Sequence, residues 1–182
     1  MSAAVEIGRR PSSLTVGIAD MKVTADRTDV IVTHALGSCL GIIVYDPQVR
    51  VAGMLHAMLP DSTQSPDRAK ENPYTFIDTG VPLLFKTAYA MGAVKGRILL
   101  TVVGGASMKA ASQQDGEDLF QIGRRNITAL RKLLWKNGVL VHKRLVAGNT
   151  SRTLQVAVED GSVRVTTGGV EMSLEQGSAP WP

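Results

Sequence analysis

The sequence predicts an α+β domain: a mixed, largely antiparallel β-sheet built from hairpins, with two main helices packed on it in a single layered unit. Three observations predict it. Short β-branched and apolar runs outnumber helical patterns, and most of them are joined by tight turn-forming clusters, so that strands adjacent in sequence pair locally. Only two segments carry apolar residues at helical spacing, enough to cover one face of a sheet. The chain has 182 residues, 44% hydrophobic and 20% charged, which suits one domain with a sizeable core and excludes wholesale disorder.

Residues 1–12 read as a flexible tail, 13–168 as the folded domain and 169–182 as a loose C-terminal tail. Leu14 to Thr24 alternates well enough for one or two short strands, and Asp29 to Thr33 gives another. That strand runs into Leu36-Gly37-Ser38-Cys39, a turn. Two apolar runs follow, Leu40 to Tyr45 and Val51 to Leu55, flanking Asp46-Pro47-Gln48-Val49-Arg50; this is a hairpin pattern. Pro60 to Pro73 is polar and proline-rich and reads as a long loop. A helix starts near Thr79 to Pro82, with proline in its first turn, and stops at Gly92 after Met91. Arg97 to Val103 is a β-branched strand ending in Gly104-Gly105. Gln121 to Lys136 is the second helix, its apolar face carried by Ile122, Ile127, Leu130, Leu133 and Leu134, and Asn137-Gly138 ends it. Val139 to Val146 is a strand, and Leu154 to Val158 with Ser162 to Thr166 form a last hairpin about Asp160-Gly161.

No apolar stretch is long enough to span a bilayer, and Met1 to Pro11 lacks the apolar core of a signal peptide. The single cysteine excludes an internal disulfide. A cytoplasmic protein without membrane insertion is expected. The net charge of +4 is too small to argue for nucleic acid, though it can steer the protein toward an acidic partner.

Cys39 lies seventeen residues before His56. Folding the hairpin symmetrically about Pro47-Gln48 sets the two residues directly opposite each other on one face, with Cβ atoms roughly 5 Å apart. A cysteine nucleophile needs a base at that range, and a neighbouring histidine favours the thiolate. A glycine turn at Gly37-Ser38-Cys39 can expose the thiol and leave backbone N–H groups free to hold an oxyanion. The alternatives are ordinary: a lone cysteine is often a small buried hydrophobe, and a histidine between Leu55 and Ala57 can be a satisfied core residue. The pairing of the two favours catalysis. Thr33 is the local candidate to orient the imidazole from a neighbouring strand, and strand propensity alone also explains a threonine there.

These residues, with several others, resemble the CheD family of chemoreceptor glutamine deamidases. The resemblance runs from about Leu14 to about Gly168. It includes Val16-Gly17-Ile18-Ala19-Asp20-Met21-Lys22-Val23, Thr33, Leu36-Gly37-Ser38-Cys39, Gly53-Met54 with His56, and Met58-Leu59-Pro60. Gly104-Gly105-Ala106-Ser107-Met108 and Ile122-Gly123 with Arg125-Asn126 complete it. Ala52 replaces the first glycine of a family pair. A late Gly-Gly-x-x-Gly-Arg pattern stands here as Ala147-Gly148-Asn149-Thr150-Ser151-Arg152. The resemblance implies Cys39 as nucleophile, His56 as base and Thr33 as orienting partner. It implies hydrolysis of a glutamine side-chain amide on the cytoplasmic helices of a chemoreceptor, a related methylesterase activity, and a CheC-type phosphatase as partner. A non-catalytic adaptor that binds receptor or phosphatase through the same cleft is the alternative reading; another cysteine hydrolase, a peptidase or small-molecule amidase, is a third.

No cofactor or metal is expected: His34, His56 and His142 are scattered, with no second cysteine. Gly104-Gly105 lacks the downstream Lys-Ser/Thr of a phosphate loop. Arg124, Arg125, Arg131, Lys132 and Lys136 read as a solvated helix face that could contact acidic receptor helices, and few aromatics are present to stack nucleic acid. Met54, Met58, Met91 and Met108 read as core filler.

Overall fold

The computed structural model describes residues 12–107 and 116–175, with side chains from residue 122 onward in the second stretch. Among the described residues the strands form two five-stranded sheets. The outer sheet has the order β1 (Ser12–Val16), β3 (Asp29–Leu36), β8 (Arg152–Ala157), β9 (Val163–Thr167), β10 (Val170–Ser173). The inner sheet has the order β2 (Asp20–Thr24), β5 (Val51–Ala57), β4 (Leu40–Asp46), β6 (Leu99–Gly104), β7 (Lys143–Val146). The α-helices among the described residues are α1 (Pro66–Glu71), α2 (Ile77–Ala90) and α3 (Gly116–Lys136). The α+β class and the largely antiparallel pairing are as expected; the strands divide between two sheets.

Sequence pattern sorts the strands into layers. Every residue of β4 and β5 is buried, because the inner sheet is covered on both faces and its strands need apolar or small side chains on both. β8 alternates buried and half-buried residues, as a strand with one wet face does. Between the sheets, Ile31, Leu36, Leu154 and Val156 of the outer sheet meet Ile43, Met54 and Val103 of the inner one. On the other face, Ile42, Leu55, Leu100 and Val102 pack against Val81 and Leu84 of α2 and Ile127 and Leu130 of α3. Each such side chain contributes on the order of 2 kcal/mol by leaving water. The chain crosses from outer to inner sheet between β3 and β4, at Gly37-Ser38-Cys39.

Several boundaries differ from expectation. The polar Pro60–Pro73 segment holds α1, which buries none of its residues and starts on Pro66, where a missing N–H costs nothing. α2 begins at Ile77, so Pro82 lies inside the helix and not in its first turn. α3 begins at Gly116. β7 is confined to Lys143–Val146; upstream, the His142 N–H reaches the Leu100 carbonyl and the Val139 N–H that of Leu134. Val170–Ser173, expected in a loose tail, pairs with β9. The expected N-terminal tail up to Pro11, Met108 and residues 176–182 lie outside the described residues. Met54 is fully buried, whereas Met91 is 39% exposed at the end of α2 and fills no core. Among the described residues no helix is long and apolar enough to cross a membrane.

α3 is held against the end of β6 by a close approach at Gly123. A Cβ there would come within 2.7 Å of the Gly105 carbonyl oxygen and 2.9 Å of that of Ala106. Gly123→Ala is therefore expected to lower stability by about 1–3 kcal/mol, although alanine raises helix propensity by roughly 1 kcal/mol. Urea unfolding measures the balance, and a variant as stable as the parent would show that α3 does not depend on this contact.

Candidate active site

His56 sits near the end of β5, opposite Gly41 on β4 and Asp20 on β2. The β4–β5 register is two residues away from the symmetric one. The last pair is Asp46 with Val51, so the turn takes four residues and ends on Arg50 in the left-handed region at φ +52°. The buried Asp46 carboxylate sets this length. It accepts the Gln48 N–H at 3.0 Å and the Val94 N–H at 2.9 Å, and it pairs with Arg97 at 2.8 Å. Cys39 and His56 are thus not directly opposite. Side chains alternate with a period of two, so a slip of two keeps both residues on one face. Cys39 stands two residues before Gly41 and faces the inter-sheet space, as a diagonal neighbour within reach of a long side chain. Gly41 itself leaves room for the outer sheet: a Cβ there would press on Leu154 and Leu36.

Thr33 comes from the facing sheet, not from a neighbouring strand of the same sheet. Its hydroxyl is fully buried and lies 2.8 Å from Nδ1 of His56 and 2.7 Å from the Val16 carbonyl oxygen. A hydroxyl has one proton, and a carbonyl can only accept. The Thr33 proton therefore goes to Val16, and the Thr33 oxygen accepts the Nδ1–H of His56. This assigns the tautomer: the lone pair is on Nε2, which is buried and has no hydrogen-bond partner among the described residues. Burial pushes the imidazole down to about 4 and pushes the Cys39 thiol up. The thiol is half-buried at the edge of the inter-sheet core, not sealed within it. The resting pair is a neutral thiol with a neutral imidazole, in place of the preformed thiolate expected from the sequence.

The turn before Cys39 owes its bend to Ala35, at φ +56° beside an irregularity in the β3–β8 pairing, while Gly37 has an ordinary φ. The Gly37 N–H is engaged by the Ala35 carbonyl. All three carbonyls of the turn are tied back: Gly37 accepts from Ala106 N–H, Ser38 from the Asn126 side chain, and Cys39 from Gly105 N–H. The Ser38 amide has no acceptor among the described residues, which leaves it able to receive a negative oxygen, and the Cys39 amide lies against its own sulfur. A Cβ on Gly104, held at φ +119°, would overlap the Cys39 carbonyl.

Asn126 is a residue to which sequence reasoning assigned no role. Fully buried on α3, it donates from Nδ2 to the Ser38 carbonyl at 3.0 Å and to the Met58 carbonyl at 2.8 Å. One side chain thereby fixes the nucleophile turn relative to the end of the strand that carries His56. A polar residue on the apolar face of α3, four residues from Ile122 and Leu130, was its signal. Arg152 is buried as well and donates to the carbonyls of Ala147 and Gly104 at 2.7 and 3.4 Å, joining the late loop to the end of β6.

The burial of His56 has a consequence for stability. The folded protein favours the neutral ring, while an unfolded histidine takes a proton near pH 6.5. The stabilisation from this group is complete above that pH and is lost as pH falls from about 6.5 to about 4, by roughly 3 kcal/mol. Denaturant unfolding across this window is expected to show the decline in the wild type and to lack it in His56→Gln; parallel declines in both would assign the slope to other groups.

The sequence matches the family model described as CheD chemotactic sensory transduction over residues 58–167. The chain is 44% identical to the probable chemoreceptor glutamine deamidase CheD 1 of Syntrophus aciditrophicus (strain SB), over 85% of this chain and 93% of that protein. It is 43% identical to the probable chemoreceptor glutamine deamidase CheD of Solibacter usitatus (strain Ellin6076), over 88% and 92%. It is 45% identical to the probable chemoreceptor glutamine deamidase CheD 2 of Anaeromyxobacter dehalogenans (strain 2CP-C), over 86% and 96%. A family model spanning more than half of the chain, with relatives of this identity aligned over nearly their whole length, establishes that this chain belongs to the CheD family.

Proposed function

We propose that this protein is a protein-glutamine amidase that converts glutamine side chains on the cytoplasmic helices of a chemoreceptor to glutamate, working in the cytoplasm in chemotactic adaptation. The observation that carries the reading is the set of three side chains: a partly accessible thiol, an imidazole on the same face, and a buried hydroxyl 2.8 Å from that ring's far nitrogen. The names of the relatives supply the substrate class.

The chemistry follows from the tautomer. Nε2 of His56 takes the Cys39 proton as sulfur attacks the carboxamide carbon, so charge develops during attack and not before it. The amides of Ser38 and Cys39 receive the oxyanion, and the bend set by Ala35 presents them. The imidazolium then protonates the departing nitrogen, ammonia leaves, and a thioester remains. Nε2 next takes a proton from water, hydroxide adds to the thioester carbon, and the C–S bond breaks to give glutamate and the thiol. Throughout, the Thr33 oxygen accepts from Nδ1 and steadies the imidazolium. The same steps would hydrolyse a glutamate methyl ester with methanol as leaving group. A CheC-type phosphatase that covers the cleft would regulate the enzyme by competing with receptor.

The test is incubation with a chemoreceptor cytoplasmic fragment, followed by mass spectrometry for amide-to-acid conversion at glutamine. Conversion is expected with the wild type and none with Cys39→Ala. Equal conversion by both removes Cys39 from the reaction, and none by either leaves the adaptor reading. Thr33→Val, which keeps the shape of the side chain and loses the hydrogen bond, is expected to lower kcat by about 10–100-fold; an unchanged kcat would reduce Thr33 to a packing residue.

A further inference from the structure

The basic face of α3 does more than meet solvent. Four of its cations, Arg124, Arg125, Lys132 and Lys136, line a groove of about 670 Å³ between α3 and the segment leading from β5 into α2. The floor is apolar, with Ile77 and Leu133. Both walls of the groove are continuous in sequence with residues that hold the turn carrying Cys39. Arg125 neighbours Asn126, whose side chain holds the Ser38 and Met58 carbonyls, and Pro60 and Asp61 on the opposite wall come two and three residues after Met58.

We infer that this groove docks a helix of the protein substrate through carboxylate side chains beside the target glutamine, an inference that rests on the deamidase reading. Charge complementarity points to the occupant. Arg125, Lys132 and Lys136 follow one another at seven and four residues, a stripe about 16 Å long that repeats as the side chains of a second helix do. Two carboxylates, Asp61 and Asp78, also line the groove, and among the described residues no aromatic side chain does. Spaced carboxylates on an amphipathic helix meet the cations and the apolar floor together, whereas a polyphosphate backbone has no apolar side chains to place on that floor. The reaction itself produces such groups: each turnover turns a neutral amide into a carboxylate. A substrate already modified at one position would therefore dock better for modification at the next.

The test compares Lys132→Glu/Lys136→Glu with Arg27→Glu/Arg164→Glu, which makes the same change of net charge on other exposed surfaces. The substrate is a chemoreceptor cytoplasmic fragment, used with its glutamines intact and with neighbouring sites changed to glutamate. The groove variant is expected to raise KM about tenfold with kcat within about twofold, to lose the preference for the glutamate-bearing fragment, and to approach the wild type at about 1 M salt, where charges are screened. The comparison variant is expected to keep the wild-type KM. An unchanged KM in the groove variant, or an equal rise in both variants, overturns the docking inference while leaving the deamidase reading in place. If the wild type does not deamidate, direct binding of the same fragment decides: binding weakened by the groove variant alone supports the groove and removes the enzyme reading, and binding insensitive to that variant overturns the groove.

Discussion

One proton governs the arrangement of this site. The Thr33 hydroxyl has a single hydrogen, and the Val16 carbonyl 2.7 Å away can only accept it. The hydroxyl oxygen must therefore receive the His56 Nδ1–H, and the basic lone pair must lie on Nε2. Both partners are fully buried, so water does not offer the ring another orientation. The same contact joins the two sheets, since Val16 and Thr33 belong to the outer one and His56 to the inner one. Relative placement of the sheets and the protonation pattern of the base are one constraint.

Burial then determines how the chemistry proceeds. Desolvation opposes charge on both the imidazole and the thiol, so the site rests neutral and ionises as bonds change. A neutral thiol is less exposed to adventitious oxidation than a standing thiolate. The cost is that the developing charge must be met by groups already in position. On the proposed chemistry the turn supplies them: its three carbonyls are tied to Ala106, Asn126 and Gly105, and the Ser38 amide is left without an acceptor among the described residues.

Much of this was legible in the sequence, for reasons that differ by residue. That Cys39 and His56 share a face was legible because a strand repeats every two residues and the error in register was an even number. The register itself was not, because the four-residue turn depends on the Asp46 carboxylate binding Gln48, Val94 and Arg97, and two of these come from across helix α2. The apolar run of β4 reads as one arm of a hairpin in a sheet covered on one face, and its pattern could not say that a second sheet covers the other. Thr33 was placed near the ring correctly but assigned to the wrong kind of neighbour, since parity arguments describe one sheet and say nothing of what faces it. Asn126 stood out only as a polar residue among the apolar positions of α3, and its two acceptors lie 88 and 68 residues away.

Cys39, the proposed nucleophile, sits on the link where the chain passes from one sheet to the other. Its base belongs to the sheet just entered and the hydroxyl that aims that base belongs to the sheet just left. Neither sheet alone contains the machinery, and no stretch of nascent chain assembles it before the two have docked. Only a molecule with both sheets docked brings the three side chains together. On the proposed chemistry, catalytic competence is in this way a property of the completed core and of neither sheet alone.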